Sequence, residues 1–233
     1  MKLNGIKLTW LGHATFRFET PAGKTVIVDP WVMGNPRCPA KDKDIKHVDV
    51  LLCTHGHFDH IGDAVEIGKK HNPVVVAIPE LCHWLEKKGV KQVSSMNKGG
   101  TQVVGDIKVT MVHADHSCGI TDGDQIVYGG EACGYVIEFS NGVKIYHAGD
   151  TNVFGDMTII RDLYAPQIAL IPIGGHYTMS PREAAYACNL LNPKTVVPMH
   201  FGTFPVLTGQ PGDLQKLLPG VEIVETTPGA TLS

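Results

Sequence analysis

Residues 54–60 read Thr-His-Gly-His-Phe-Asp-His, so His55, His57, Asp59 and His60 set three imidazoles and a carboxylate within six residues. Packing is a poor explanation, because each of three neighbouring imidazoles would need its own hydrogen-bond partners in one short segment. Metal ligation explains the run directly, since neutral imidazole and carboxylate are the lone-pair donors that divalent ions take. A closed structural zinc favours several Cys in widely spaced pairs, whereas this is one local His/Asp cluster. Further donors are therefore expected elsewhere in the chain. Three stand directly after apolar runs: His116 after IKVTMVHAD, Asp150 after VKIYHAG and His200 after TVVPM. Singly, each is an ordinary turn residue. Together they complete two partial coordination shells at the loop-bearing edge where function resides.

In chain order, HxHxDH followed by a His, an Asp and a final His resembles the signature of the metallo-β-lactamase superfamily. WLGHATF, Val28-Asp29-Pro30 and PIGGHYTMSPREAA are similar to words of its metal-dependent hydrolase branch, which is itself similar to ascorbate-6-phosphate lactonases and acylethanolamine phospholipid phosphodiesterases. The resemblance implies an α/β fold, a four-layer αββα sandwich with two facing mixed sheets. It implies one metal on His55, His57 and His116, a second on Asp59, His60 and His200, and Asp150 bridging them. A metal-bridging hydroxide would then hydrolyse a small phosphoester or lactone. Two divalent ions less two carboxylates and one hydroxide leave a positive site, suited to an anionic substrate or to a carbonyl gaining charge. No GxSxG or P-loop competes. The imidazole-rich shells favour zinc, with manganese, nickel or iron as alternatives.

Asp59, His13 and His176 are the candidate catalytic side chains beyond ligation itself, His13 after a strand in LGHA and His176 after two glycines in GGHYTM. Asp29 is placed to orient a ligand imidazole, and Tyr177 to reach the pocket. His47, His71, His83, His113 and His147 read as surface or structural residues, and Cys118 and Cys133 as small packed ones. Two further readings share HxHxDH. A mononuclear iron persulfide-type dioxygenase would leave His200 idle, and an RNA-processing nuclease would need a basic arm that this chain lacks.

The elements that must position these residues alternate. IKLTWLGHATFRFET and TVIVDP read as a β-meander, VDVLLCTH and PVVVAI as buried strands, and IGDAVEIGKK and ELCHWLEKKG as helices. IKVTMVHAD is a strand, 117–132 a polar Gly-rich loop, and GYVIEF and VKIYHAG a hairpin around Ser140-Asn141-Gly142. A helix at 157–163, strand IALIPI, helix PREAAYACNLL, strand TVVPMH, a helix after Gly212 and strand VEIVE complete the rhythm. No linker or repeat divides the chain, so 1–233 reads as a single domain. Loops 31–43, 117–132 and 201–212 are expected to set substrate choice.

Of 233 residues, 43% are hydrophobic and 18% charged, a globular composition. The 20 basic residues against 23 acidic ones, without a basic run, argue against nucleic acid as a partner. The N-terminus has no unbroken apolar segment and no 18 apolar residues run together, so neither a signal peptide nor a membrane span is expected. Six cysteines without a CxxC fit reduced thiols in the cytoplasm. A monomer and a homo-oligomer are both open.

Overall fold

A computed structural model describes residues 1–233. The chain opens with an antiparallel meander, β1 (Lys7–Gly12), β2 (Thr15–Glu19) and β3 (Thr25–Val28). Parallel strands β4 (Val50–Leu52), β5 (Val74–Ala77) and β6 (Val93–Ser95) extend it. Helices α1 (Phe58–Ile61), α2 (Ala64–His71) and α3 (Pro79–Lys87) intervene. The helix expected over IGDAVEIGKK is α2, which starts only at Ala64; the single turn α1 lies before it, overlapping the donor motif. β4 is buried throughout, which is why it reads as an unbroken apolar run.

A second sheet follows: β7 (Thr101–Val104), β8 (Ile107–His113), then a separate hairpin of β9 (Gly119–Asp122) and β10 (Gln125–Tyr128), then β11 (Cys133–Phe139) and β12 (Lys144–His147). The expected loop at 117–132 therefore contains a hairpin. Its Gly and Asp content hid four-residue strands whose outer face is open to solvent. At the β11–β12 turn only Gly142 has a positive φ, of 81°. Asn141 instead ties the turn down, its Nδ2 donating to Leu3 O and Asn4 O.

The parallel half runs α4 (Met157–Tyr164), β13 (Ile168–Pro172), α5 (Pro181–Leu191), β14 (Thr195–Met199), α6 (Pro211–Leu217) and β15 (Glu222–Ile223). β16 (Thr231–Leu232) returns to the first sheet beside β1. The sheets, each of seven strands, have orders β16-β1-β2-β3-β4-β5-β6 and β15-β14-β13-β12-β11-β8-β7. β6, β7 and β16 are short and only partly buried, so no apolar alternation announces them.

The sheets meet face to face. Phe18 on β2 lies 5.6 Å from Phe139 on β11, and the buried Tyr135 hydroxyl on β11 donates to Cys53 O across the interface at 2.8 Å. Two mixed sheets packed through one apolar core, with helices, form the expected αββα sandwich. No helix is long and apolar enough to cross a membrane.

Candidate metal centre

Strand direction decides where the polar residues gather. β1, β3 and β4 run one way in the first sheet, and β8, β12, β13 and β14 run one way in the second. Their C-terminal ends carry, in turn, His13, Asp29, the 54–60 segment, His116, Asp150, the 173–180 loop and His200. Three of these residues end their strands in the left-handed region: His13 at φ 56°, Asp29 at 50° and His200 at 57°. Such a backbone is uncommon for a side-chain-bearing residue and clusters where a structure must aim a side chain. Gly56 has a different reason. A Cβ there would stand 2.5 Å from Ile120 of the β9–β10 hairpin, so the hairpin rests directly on the His-Gly-His segment.

The donors converge in three overlapping groups whose ligand atoms lie within 4.8 Å of one another: His55, His57 and His116; His13, Asp59, His60 and His200; and His55, His60 and Asp150. His55 Nε2 faces His57 Nδ1 at 3.0 Å. Asp150 Oδ2 lies 3.0 Å from His200 Nε2 and 3.6 Å from His116 Nε2, and its Oδ1 lies 3.3 Å from His60 Nε2. Yet His60 Nε2, Asp150 Oδ1 and both ring nitrogens of His200 are buried without a hydrogen bond of proper geometry. Unpaired Nε2 atoms of His60 and His200 beside an unpaired carboxylate oxygen of Asp150 suit a cation.

The outer nitrogens of His55 and His60 are held by the fold. Asp29 Oδ2 accepts from His60 Nδ1 at 2.7 Å and from Thr54 Oγ1 at 2.8 Å, and Asp29 Oδ1 accepts from Thr54 N at 2.8 Å. Thr54 Oγ1, having donated to Asp29, accepts from His55 Nδ1 at 3.0 Å. This assignment leaves the Nε2 lone pairs of His55 and His60 pointing into the centre. His57 Nε2 meets Ser117 Oγ at 3.2 Å. His13 donates from Nε2 to Asp59 Oδ2 at 2.9 Å, and its Nδ1 meets Thr203 Oγ1 at 3.0 Å. Thr54, Ser117 and Thr203 were not singled out from the sequence, where a lone hydroxyl beside a histidine carries little signal.

Electrostatics points the same way. Burial holds His55, His57 and His116 below the ordinary imidazole range and brings His13 down to about 4, so these rings stay neutral. Burial opposes charge on His60 too, but Asp150 and Asp29 outweigh it and raise that ring well above its usual value. The carboxyl of Asp150 is likewise held far below its usual range, against burial, by His200 and His60. The pair of buried carboxylates thus favours positive charge at the centre, the charge that a metal ion would bring.

A cleft of about 580 Å³ opens onto the cluster, with His57, Asp59, His116 and Asp150 at its floor. Its walls come from the hairpin and the 201–212 loop, as expected, and from Tyr177. Loop 31–43 is not among them and acts from beneath: buried Trp31 packs 5.8 Å from Phe58 and 5.9 Å from Phe204. His176 is not brought into the cluster or the cleft wall. It stands exposed, edge-on to Tyr177 at 4.5 Å, because the turn after Gly175 gives it a φ of 58° and turns it outward. His147 is buried, with Nε2 on Ala14 O at 2.9 Å, and His113 is exposed. Cys118 packs under Gly56 N and Gly129 O, its thiol pushed up to about 11 by burial. Cys133 is buried against Thr54 O.

Comparison with known proteins agrees with this geometry. A family model described as a β-lactamase superfamily domain matches residues 7–200. A UPF0173 metal-dependent hydrolase of Koribacter versatilis is 67% identical over 233 residues, covering 100% of both chains. One from Rubrobacter xylanophilus is 46% identical over 215 residues, 92% of this chain and 89% of that one. Among solved structures, Igni18, a metallo hydrolase of the hyperthermophilic archaeon Ignicoccus hospitalis, superposes with a TM-score of 0.84 at 37% identity over 97% of each chain. With the sandwich, the strand-end donors and these relatives in agreement, the chain belongs to the metallo-β-lactamase superfamily, among its metal-dependent hydrolases.

Proposed function

We propose that the centre binds two divalent metal ions, zinc by the imidazole-rich character of its donors, and hydrolyses a small phosphoester or lactone. His55, His57 and His116 would hold one ion and Asp59, His60 and His200 the other, with Asp150 shared and His13 within reach of the second. The observation that carries this reading is the position of Asp150, whose Oδ2 faces both His116 and His200, donors of different groups. That contact also favours two ions over a mononuclear iron centre, in which His200 would have no task. Bound there, divalent ions supply a hydroxide at neutral pH and polarise the scissile carbonyl or phosphoryl oxygen. The chain's own part is to fix the rings through Asp29 and Thr54, to hold Asp59 through His13, and to shelter the reacting groups within the cleft. Six buried, unpaired cysteines fit action in a reducing compartment, the cytoplasm.

Metal analysis of the purified chain should return two divalent ions per protein, chiefly zinc. Asp150→Ala should lower metal content and reduce turnover of phosphodiesters or lactones by at least about 100-fold, at the upper end of what loss of a supporting residue costs. Less than one metal per chain, or an Asp150→Ala variant as active as the parent, would overturn the reading.

A further inference from the structure

The cleft walls carry information about the substrate that the metal donors do not. Phe58, inside the donor motif itself, is 59% exposed; Tyr177 is 60% exposed and Val206 43%. With Phe204 they surround the mouth of a cavity whose size is that of a small-molecule site rather than a macromolecular groove. Exposed aromatic side chains converging on one cavity mark a binding surface. Phe58 and Phe204 are also braced, both packing on buried Trp31, so their placement is fixed before any ligand arrives. The wall continues outward. Thr121 lines the cleft, and the hairpin register pairs it with Ile126, 81% exposed, on the face that also carries Tyr128, 74% exposed.

Charge narrows the choice further. None of the cleft-lining side chains is Lys or Arg. The carboxylates of Asp59, Asp150 and Asp29 offset three of the four positive charges that two divalent ions would bring, and a hydroxide offsets the fourth. Counting Asp29, which contacts His60 directly, removes the residual positive charge that a count of Asp59 and Asp150 alone would leave. A phosphomonoester dianion would then lack the cationic clamp that such groups require.

Resting on the hydrolase reading above, we propose that the substrate is an ester with at most one negative charge and one bulky apolar substituent, aryl or medium-chain alkyl. That substituent packs against the pair formed by Phe58 and Phe204, whose ring centroids lie 6.5 Å apart, and points toward the β9–β10 hairpin. Polyanionic phosphomonoesters are excluded from the class.

The test uses the metal-loaded protein and three probes sharing a leaving group: methyl p-nitrophenyl phosphate, phenyl p-nitrophenyl phosphate and p-nitrophenyl phosphate. The phenyl diester should exceed the methyl diester in kcat/KM by at least about 10-fold, the scale of discrimination that an apolar pocket provides. It should also exceed the dianionic monoester. Phe204→Ala and Phe58→Ala should each pull the phenyl-to-methyl ratio toward one; Phe58 is exposed enough that its truncation leaves the core intact. A readout independent of turnover is calorimetric binding of diphenylphosphinate against dimethylphosphinate, monoanions without a cleavable ester, to metal-loaded and metal-free protein. The diphenyl compound should bind at least about 10-fold more tightly, and less so in Phe204→Ala. Preference for the dianionic monoester, or equal losses on both diesters in the variants, overturns the proposal. If diphenylphosphinate binds in a Phe204-dependent way while no ester or lactone is turned over, the apolar subsite stands and the hydrolase reading falls.

Discussion

Asp29 accepts three hydrogen bonds through its carboxylate, and two of them bear on the direction of an imidazole at the centre. Its left-handed backbone suits Asn equally well, so Asp29→Asn removes the charge with little change in conformation. Metal affinity, measured by competition with a chromogenic chelator, should fall by about 10–100-fold, the usual cost of losing such an outer partner. Unchanged affinity would mean that His55 and His60 are oriented by packing alone. The convergence of these residues was legible from the sequence because the HxHxDH run called for partners and three strand-end residues offered them, although each of the three alone reads as an ordinary turn residue. His13 was legible as a neighbour of the centre, though its contact with Asp59 was not. His176 shows the limit: two glycines preceding a histidine signal a tight turn, but not which way it faces, and here it faces outward.

Among the elements, the β9–β10 hairpin was hidden by its composition, and it is the one that presses on the metal-binding segment. Gly56→Ala would force a methyl group against Ile120, displacing either the hairpin or the His55–His57 backbone. Overpacking of this kind costs about 1–3 kcal/mol, readable as a lower denaturant midpoint, and metal affinity should fall with it. A midpoint and affinity equal to the parent's would show that the hairpin yields freely. The buried strands could be read from their apolar runs, which follow from burial on both faces. β6, β7 and β16 could not, since strands of two to four half-exposed residues are recognisable only by the partners they pair with.

At the scale of the whole molecule, both sheets contribute donors to one centre, so metal binding ties them together. Removing metal leaves the carboxylates of Asp59 and Asp150 with only His60 and their other histidine neighbours to offset them. A ligand present at 100 times its dissociation constant adds about 2.7 kcal/mol of stability. For a chain of this size, stripping it with chelator should therefore lower Tm by about 5–10 °C. A Tm indifferent to chelation would mean that the two sheets hold the centre fully formed without an ion. The division of donors also has a consequence for biosynthesis. His55, His57, Asp59 and His60 emerge from the ribosome with the first sheet, but His116, Asp150 and His200 follow only with the second. With the ligand set proposed above, no nascent chain could close the centre before residue 200 has been made, so metal would be acquired after both halves of the donor set rather than serve as a nucleus around which the protein folds.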